Sequence, residues 1–299
     1  VSAKQQLADY LQHLRAERRM SPHTVSNYQR DLNHLQQLLE SEGLKAWPQL
    51  QNHHIRQVIA ERRRDGLGAA SLHRLLSSIR GFYRWLQKHH LAEHDPSTGI
   101  KAPKREQKLP QVLEIEEIGQ LADTPNSNDP LALRDHAIIE LFYSSGLRLS
   151  ELAQLERFDF DPGERSLNIR HAKGNKQRRV PVGKLAAQAL QAWLKVRGQL
   201  AKPDSQALFV SQRGSGLSVR SIQARLDHWA KRSGVDKPVH PHLLRHSFAS
   251  HMLQSSGDLR AVQELLGHAD ISTTQIYTHL DYQHLAKVYD QAHPRAKRK

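Results

Sequence analysis

SLNIRHAKGNKQRRVPV, residues 166–182, breaks the rhythm of a chain that otherwise repeats its apolar residues every three or four positions. Leu167 and Ile169 alternate with polar neighbours. A polar turn of Lys173, Gly174, Asn175 and Lys176 follows, and Val180 and Val182 then alternate again. Period two on both sides of a Gly-Asn reversal predicts a β-hairpin. The stretch decides the fold class, because a hairpin set among helices makes its domain mixed rather than all-α. It is also strongly cationic, with six Lys/Arg and no acid over residues 170–184.

On either side of the hairpin the helical period returns. The pattern predicts helices over 130–142, from about Ser150-Glu151, and over 184–197, 218–232, 241–254, 258–266 and 281–290. Leu285, Val288 and Tyr289 give the last of these an apolar side suited to docking, on its own domain or on a neighbour. The final HPRAKRK is expected to be a mobile basic tail. Residues 1–93 read as four helices. Leu7, Leu11 and Leu14 mark the first, and Ser21-Pro22 starts a second that carries Val25, Tyr28, Leu32, Leu35 and Leu39. A third covers about 51–63, and a fourth runs from Leu72 to Leu86. HDPSTGIKAPKREQKLP, residues 94–110, is proline-marked, basic and aperiodic, as an interdomain linker would be. The expected architecture is mainly α: a four-helix domain (1–93), a linker (94–110) and a mixed, mostly helical domain with a small β-hairpin (111–299).

Composition narrows the partners. The 299 residues carry a formal net charge of +14, and both halves are basic: 17 Lys/Arg against 9 Asp/Glu in 1–105, and 27 against 21 in 106–299. An excess on both halves suits a polyanionic ligand, although a merely solvated surface accounts for it as well. Cysteine is absent, which excludes disulfides, thiolate nucleophiles and Cys-ligated zinc. The opening VSAKQQLADYL has no signal-like apolar run, and the expected compartment is the cytoplasm. His242 and His246 stand four apart without the glutamate of a zinc-protease helix, and no phosphate-binding Gly-rich loop occurs. No metal and no cofactor are expected. Ser144, Ser145 and Ser150 are nucleophile candidates only in principle, since none sits in a Gly-x-Ser-x-Gly elbow.

Two segments concentrate polar groups beyond what a structural helix needs. In HPHLLRHSFASHM, 240–252, His242 and Arg245 share a helix face while Leu243, Leu244, Phe248 and Met252 pack inward. In LLGHADISTTQIYTHL, 265–280, His268 and Tyr277 stand among small polar residues. Taken singly, each has a plain reading: a capping histidine, a salt-bridged arginine, a core tyrosine. Their order along the chain is more telling. SSGLRLSEL around Arg148, AKGNKQRRVPV around Lys173, HPHLLRH, LLGH and the downstream tyrosine together resemble the catalytic constellation of the tyrosine recombinases, the λ-integrase family. The likeness extends over the whole chain.

The resemblance implies six catalytic positions. Arg148 and Arg245 would grip the phosphate, Lys173 would protonate the leaving 5′ oxygen, His242 and His268 would assist, and Tyr277 would be the nucleophile. It also implies a duplex-DNA substrate clamped between the two domains. The active form would be a tetramer holding two protomers of this chain and two of a related recombinase, activated by a septal DNA translocase. Arg62, Arg63, Arg64 and the 170–184 hairpin are the expected phosphate contacts, with Arg220, Gln223 and Arg225 as base-reading candidates. Rival readings are a sister recombinase or mobile-element integrase, a type IB topoisomerase, and a non-enzymatic architectural DNA-binding protein. The last explains the charge but not the six-residue set.

Overall fold

The computed structural model describes residues 2–103, 111–122, 129–170, 177–267 and 279–296. The chain divides into two units, Val1–Leu109 and Pro110–Lys299.

The first unit contains α1 (Ala3–Ala16), α2 (Pro22–Ser41), α3 (Asn52–Arg64) and α4 (Ala69–Lys88). Ser2 and Ser21 cap α1 and α2 through their hydroxyls, and Pro22 begins α2 where a missing N–H costs nothing. The stripes read from the sequence form one core, centred on Phe82, whose ring meets Tyr10 at 5.1 Å and Trp47 at 5.0 Å. Trp47 stands in the 3₁₀ turn between α2 and α3. It donates its indole N–H to the Ala3 carbonyl and accepts the Tyr83 hydroxyl on its own carbonyl, which locks the turn to α1 and α4. The buried carboxylate of Asp31 takes two N–H groups of Arg74 at 2.9 and 3.1 Å, so Arg74 is spent on holding α2 to α4. The beginning of the 94–110 stretch lies on this unit. Asn52 donates to the carbonyls of Pro96 and Thr98, Arg80 donates to Ile100, and Ile100 is buried.

The second unit is built around α6 (Pro130–Ser145), which is buried on nearly all sides. Before it lies α5 (Ile115–Ala122). After it come α7 (Leu149–Ala153), a three-stranded antiparallel sheet of β1 (Phe160–Asp161), β2 (Ser166–Ile169) and β3 (Arg178–Pro181), and then α8 (Lys184–Arg197). The hairpin's two strands are present and antiparallel, with Leu167 opposite Val180 and Ile169 opposite Arg178. β1 was not expected, and at two residues it is too short to show a period. The remaining helices are α9 (Val219–Ser233), α10 (Pro241–Ser256), α11 (Leu259–Leu266) and α12 (His279–Ala292).

A helix buried all round must satisfy its polar side chains internally. On α6, Asp135 accepts from Arg134, Arg225 and Trp229, and Glu140 accepts from Arg295. The Ser144 hydroxyl accepts from the Gly183 N–H and bonds the Tyr289 hydroxyl, and Ser145 donates to the Pro181 carbonyl. These contacts make Ser144 and Ser145 structural groups rather than nucleophiles.

The end of the chain departs from expectation. His293, Arg295 and Ala296 are buried, so residues 293–296 form a docked plug and not the start of a mobile tail, while 297–299 lie outside the described residues. Tyr289 stacks on His293 at 4.8 Å, and Arg295 reaches Glu140 of α6. Composition alone marked the stretch as solvated. The buried carboxylate that makes Arg295 welcome inside lies 155 residues earlier.

Candidate active site

The site is built from helix ends. α6 stops at Gly146, whose φ of 55° is left-handed. A Cβ there would meet Phe248 at 2.4 Å, so both the conformation and the space require glycine. The stop turns Arg148 out as the N-cap residue of α7, partly exposed. One turn later Glu151, buried, accepts the Arg148 backbone N–H at 2.9 Å and its Nη1 at 2.8 Å.

α10 begins at Pro241, capped by the ring of His240, whose Nδ1 accepts from the Leu243 N–H at 3.1 Å. Burial and the neighbouring His242 push the His240 ring below the ordinary histidine range. His242 is exposed in the first turn, and Arg245 follows one turn later, partly buried. Arg245 donates Nη1 to the Gly146 carbonyl and Nη2 to the Leu266 carbonyl at 2.8 Å. Arg148 Nη2 donates to Gly267, the next carbonyl along, at 3.1 Å. The ends of α6 and α11 therefore present carbonyls that aim two guanidiniums from different helices at one place. Arg245 is brought down to about 10, first by burial and then by Arg148, and so keeps its charge at neutral pH.

Arg148 and Arg245 are thus brought into one neighbourhood from α7 and α10, and His242 lies one turn before Arg245 on α10. Lys173, His268 and Tyr277 lie outside the described residues. Lys173 belongs to the connection between β2 and β3, and His268 immediately follows Gly267 at the end of α11. Two participants were missed in the sequence. Glu151 was readable as an acid three residues after Arg148, the capping-box spacing. Arg178 shares strand parity with Val180 and Val182, which marked it as inward-facing. Arg225, expected to read bases, instead spends its Nε on Asp135 at 2.6 Å, while Arg220 and Gln223 remain exposed on α9. Among the described residues no cluster of three or more His, Asp or Glu is placed to hold a metal ion.

The arrangement can bind an oxyanion. Two planar forks on rigid carbonyl supports, backed by one carboxylate, suit the non-bridging oxygens of a phosphodiester. Sequence comparison agrees. Residues 111–284 match the phage integrase family, and residues 7–90 match the phage integrase N-terminal SAM-like domain.

The chain belongs to the tyrosine recombinases.

This recombinase is 52% identical over 294 residues to tyrosine recombinase XerC of Stutzerimonas stutzeri (strain A1501), covering 98% of this chain and 97% of that protein. Among solved structures it resembles XerA recombinase, with a TM-score of 0.51, 28% identity, and 98% and 99% of the two chains covered. It also shares its fold with a λ integrase (75–356) dimer bound to a COC′ core site, with a TM-score of 0.67, 19% identity, and 93% and 100% covered. A recombinase of this family is a site-specific DNA strand transferase with a tyrosine nucleophile.

Proposed function

We propose that this recombinase cuts one DNA strand with Tyr277, holds the end as a 3′-phosphotyrosyl ester, and reseals it to a new 5′-hydroxyl. The observation that carries this reading is the pairing of Arg148 and Arg245, two cations steered together by the carbonyls of Gly146, Leu266 and Gly267. Glu151 offsets part of the repulsion between these like charges, and a scissile phosphate supplies a second anion that both guanidiniums can reach. The negative charge that builds on its non-bridging oxygens at the transition state is stabilised by donors already in place.

The remaining roles follow the family pattern. A phenol of ordinary pKa, about 10, needs a base or a cationic pocket to attack. His242, exposed beside the arginines, is the base or phosphate-placing group, and His268 donates a hydrogen bond to the phosphate. Lys173 gives a proton to the leaving 5′ oxygen. Since the ester keeps the phosphodiester's energy, religation needs neither ATP nor a metal.

Likeness to XerC supports a finer reading. Residues 1–93 act as the core-binding domain, 94–110 as the linker and 111–299 as the catalytic domain. Exposed Arg63 and Arg64 share a basic groove with Arg56 and Lys101, suited to duplex phosphates. The working assembly is a heterotetramer of two protomers of this chain and two of an XerD-like partner. It acts in the cytoplasm on a dif-like site, is activated by the septal translocase FtsK, and resolves chromosome dimers before division.

The test is trapping on a nicked suicide substrate bearing a dif-like site, with and without XerD. The expected result is a covalent adduct mapping to Tyr277 and stimulated by XerD. An adduct indifferent to XerD points to a self-sufficient integrase. DNA bound but never trapped overturns the assignment of Tyr277 and favours an architectural role.

A further inference from the structure

Arg178 stands where three parts of the site meet. It is the first residue of β3, opposite Ile169, and it is buried. Its Nη1 and Nη2 donate to the two oxygens of Glu151 at 2.9 and 2.8 Å, the same carboxylate that holds Arg148. Its guanidinium also lies against Gly267, where a Cβ would come within 3.1 Å of Cζ, Nε and Nη1. Gly267 is left-handed at φ 64°, and its carbonyl accepts from Arg148 Nη2. Two arginines on one buried carboxylate overcome the burial that would raise Glu151, and hold it at about 2.

A cation this well placed could be a purely structural ion pair, and such pairs are often replaceable by apolar residues without loss of stability. Topology argues for more. The strand that begins at Arg178 is one stem of the hairpin whose connection, 170–177, contains Lys173. The other stem, β2, has no side chain bonded to the arginine cluster among the described residues. A bidentate fork resists both sliding and rotation, which a lysine in its place would not.

We propose that Arg178 is a positioning residue for leaving-group protonation: it clamps β3, the stem from which the connection carrying Lys173 departs, to the Glu151–Arg148 pair. This rests on the assignment of Lys173 as the acid. In the step concerned, the Tyr277 oxygen gives its phenolic proton to His242 and forms a bond to phosphorus, the P–O5′ bond breaks with its electron pair on O5′, and the Lys173 ammonium supplies a proton to that oxygen. Arg148 keeps Glu151 and the Gly267 carbonyl, and Arg245 keeps its two carbonyls, when Arg178 is altered, so leaving-group protonation is the step expected to lose most.

The test compares Arg178→Lys with the unaltered protein in single-turnover cleavage of two duplex substrates. One carries the ordinary phosphodiester and the other a 5′-bridging sulfur, which leaves without being protonated. Duplex affinity and melting temperature are measured alongside. The expected result is unchanged binding, a loss of about 10²-fold on the oxygen substrate as for any misplaced catalytic group, and most of that loss recovered on the sulfur substrate. Arg178→Gln, which keeps an amide donor for Glu151, repeats the comparison should the lysine variant not fold. Equal loss on both substrates, or no loss on either, overturns the proposal. Lys173→Ala is the reference: if sulfur fails to rescue it, Lys173 is not the acid and the proposal falls with that assignment. If sulfur rescues Lys173→Ala but not Arg178→Lys, the proposal alone fails.

Discussion

Arg245 of α10 donates Nη2 to the carbonyl oxygen of Leu266, 21 residues later at the end of α11, at 2.8 Å. The contact ties the arginine proposed to grip the phosphate to the residue two before His268. Its other terminal nitrogen is held by Gly146, so the guanidinium plane is set before any substrate arrives. Replacement by lysine keeps the charge but cannot satisfy both carbonyls and still present a fork. Arg245→Lys is therefore expected to lower the rate of covalent-adduct formation by about 10²–10³-fold, as loss of a preorganised donor does. Duplex binding should change little. Single-turnover trapping against a gel-shift titration checks this, and a variant within a few-fold of the parent rate would remove Arg245 from the phosphate.

Tyr277→Phe removes one oxygen and nothing else. Adduct formation should fall by about 10⁴-fold or more, the scale seen when a nucleophile is deleted, with affinity for duplex DNA retained. Residual adduct mapping to another residue on a denaturing gel would mean that a different side chain attacks.

The docked chain end should be worth measurable stability. Arg295→Ala leaves the Glu140 carboxylate buried without its cation, and removing one partner of a buried pair costs about 3–5 kcal/mol. Replacing both, as Arg295→Met with Glu140→Gln, is expected to recover most of that. Urea titrations of the parent, the single and the double variant decide it. A single variant as stable as the parent would show that the plug does not hold the fold.

His293 makes the stability sensitive to acid. Burial, opposed only in part by the Tyr143 carbonyl, brings the ring down to about 3. Between the unfolded value of about 6.5 and that folded value, the unfolded chain takes up a proton that the folded chain refuses. Its contribution is therefore complete above pH 6.5 and is lost as pH falls toward 3, at up to about 1.4 kcal/mol per pH unit. His293→Gln should flatten the fall in unfolding free energy between pH 7 and pH 5. Parallel curves for the two proteins would place the acid sensitivity elsewhere.

Much of the fold was legible because it is written locally. A Leu stripe at three and four, a serine before a proline and a Gly-Asn between alternating valines each state their geometry within a few residues. The helices of the first unit and the β2–β3 hairpin follow from such patterns. β1 was illegible because two residues carry no period, and the buried plug because its composition is that of a solvated tail. Of the candidate site, His242 and Arg245 stood out by their spacing on one helix face, and Arg148 was named by the family resemblance. Glu151 and Arg178 carried only capping-box spacing and strand parity, and an acid near an arginine and an arginine in a basic hairpin both have plainer surface readings.

Local pattern thus indicated most of the helices and the strands that alternate, and the family resemblance named six candidates for chemistry on a phosphodiester. Packing settled where the positive charge is spent. Arg74 lies 43 residues from Asp31, Arg225 lies 90 from Asp135, and Arg178 lies 27 from Glu151, yet each closes on its carboxylate within 3 Å. Such pairs form because burial makes an unpartnered carboxylate costly, and burial belongs to the whole fold. Arg148, braced by Glu151, and Arg245 are in addition aimed by backbone carbonyls that only the meeting of α6, α10 and α11 brings together.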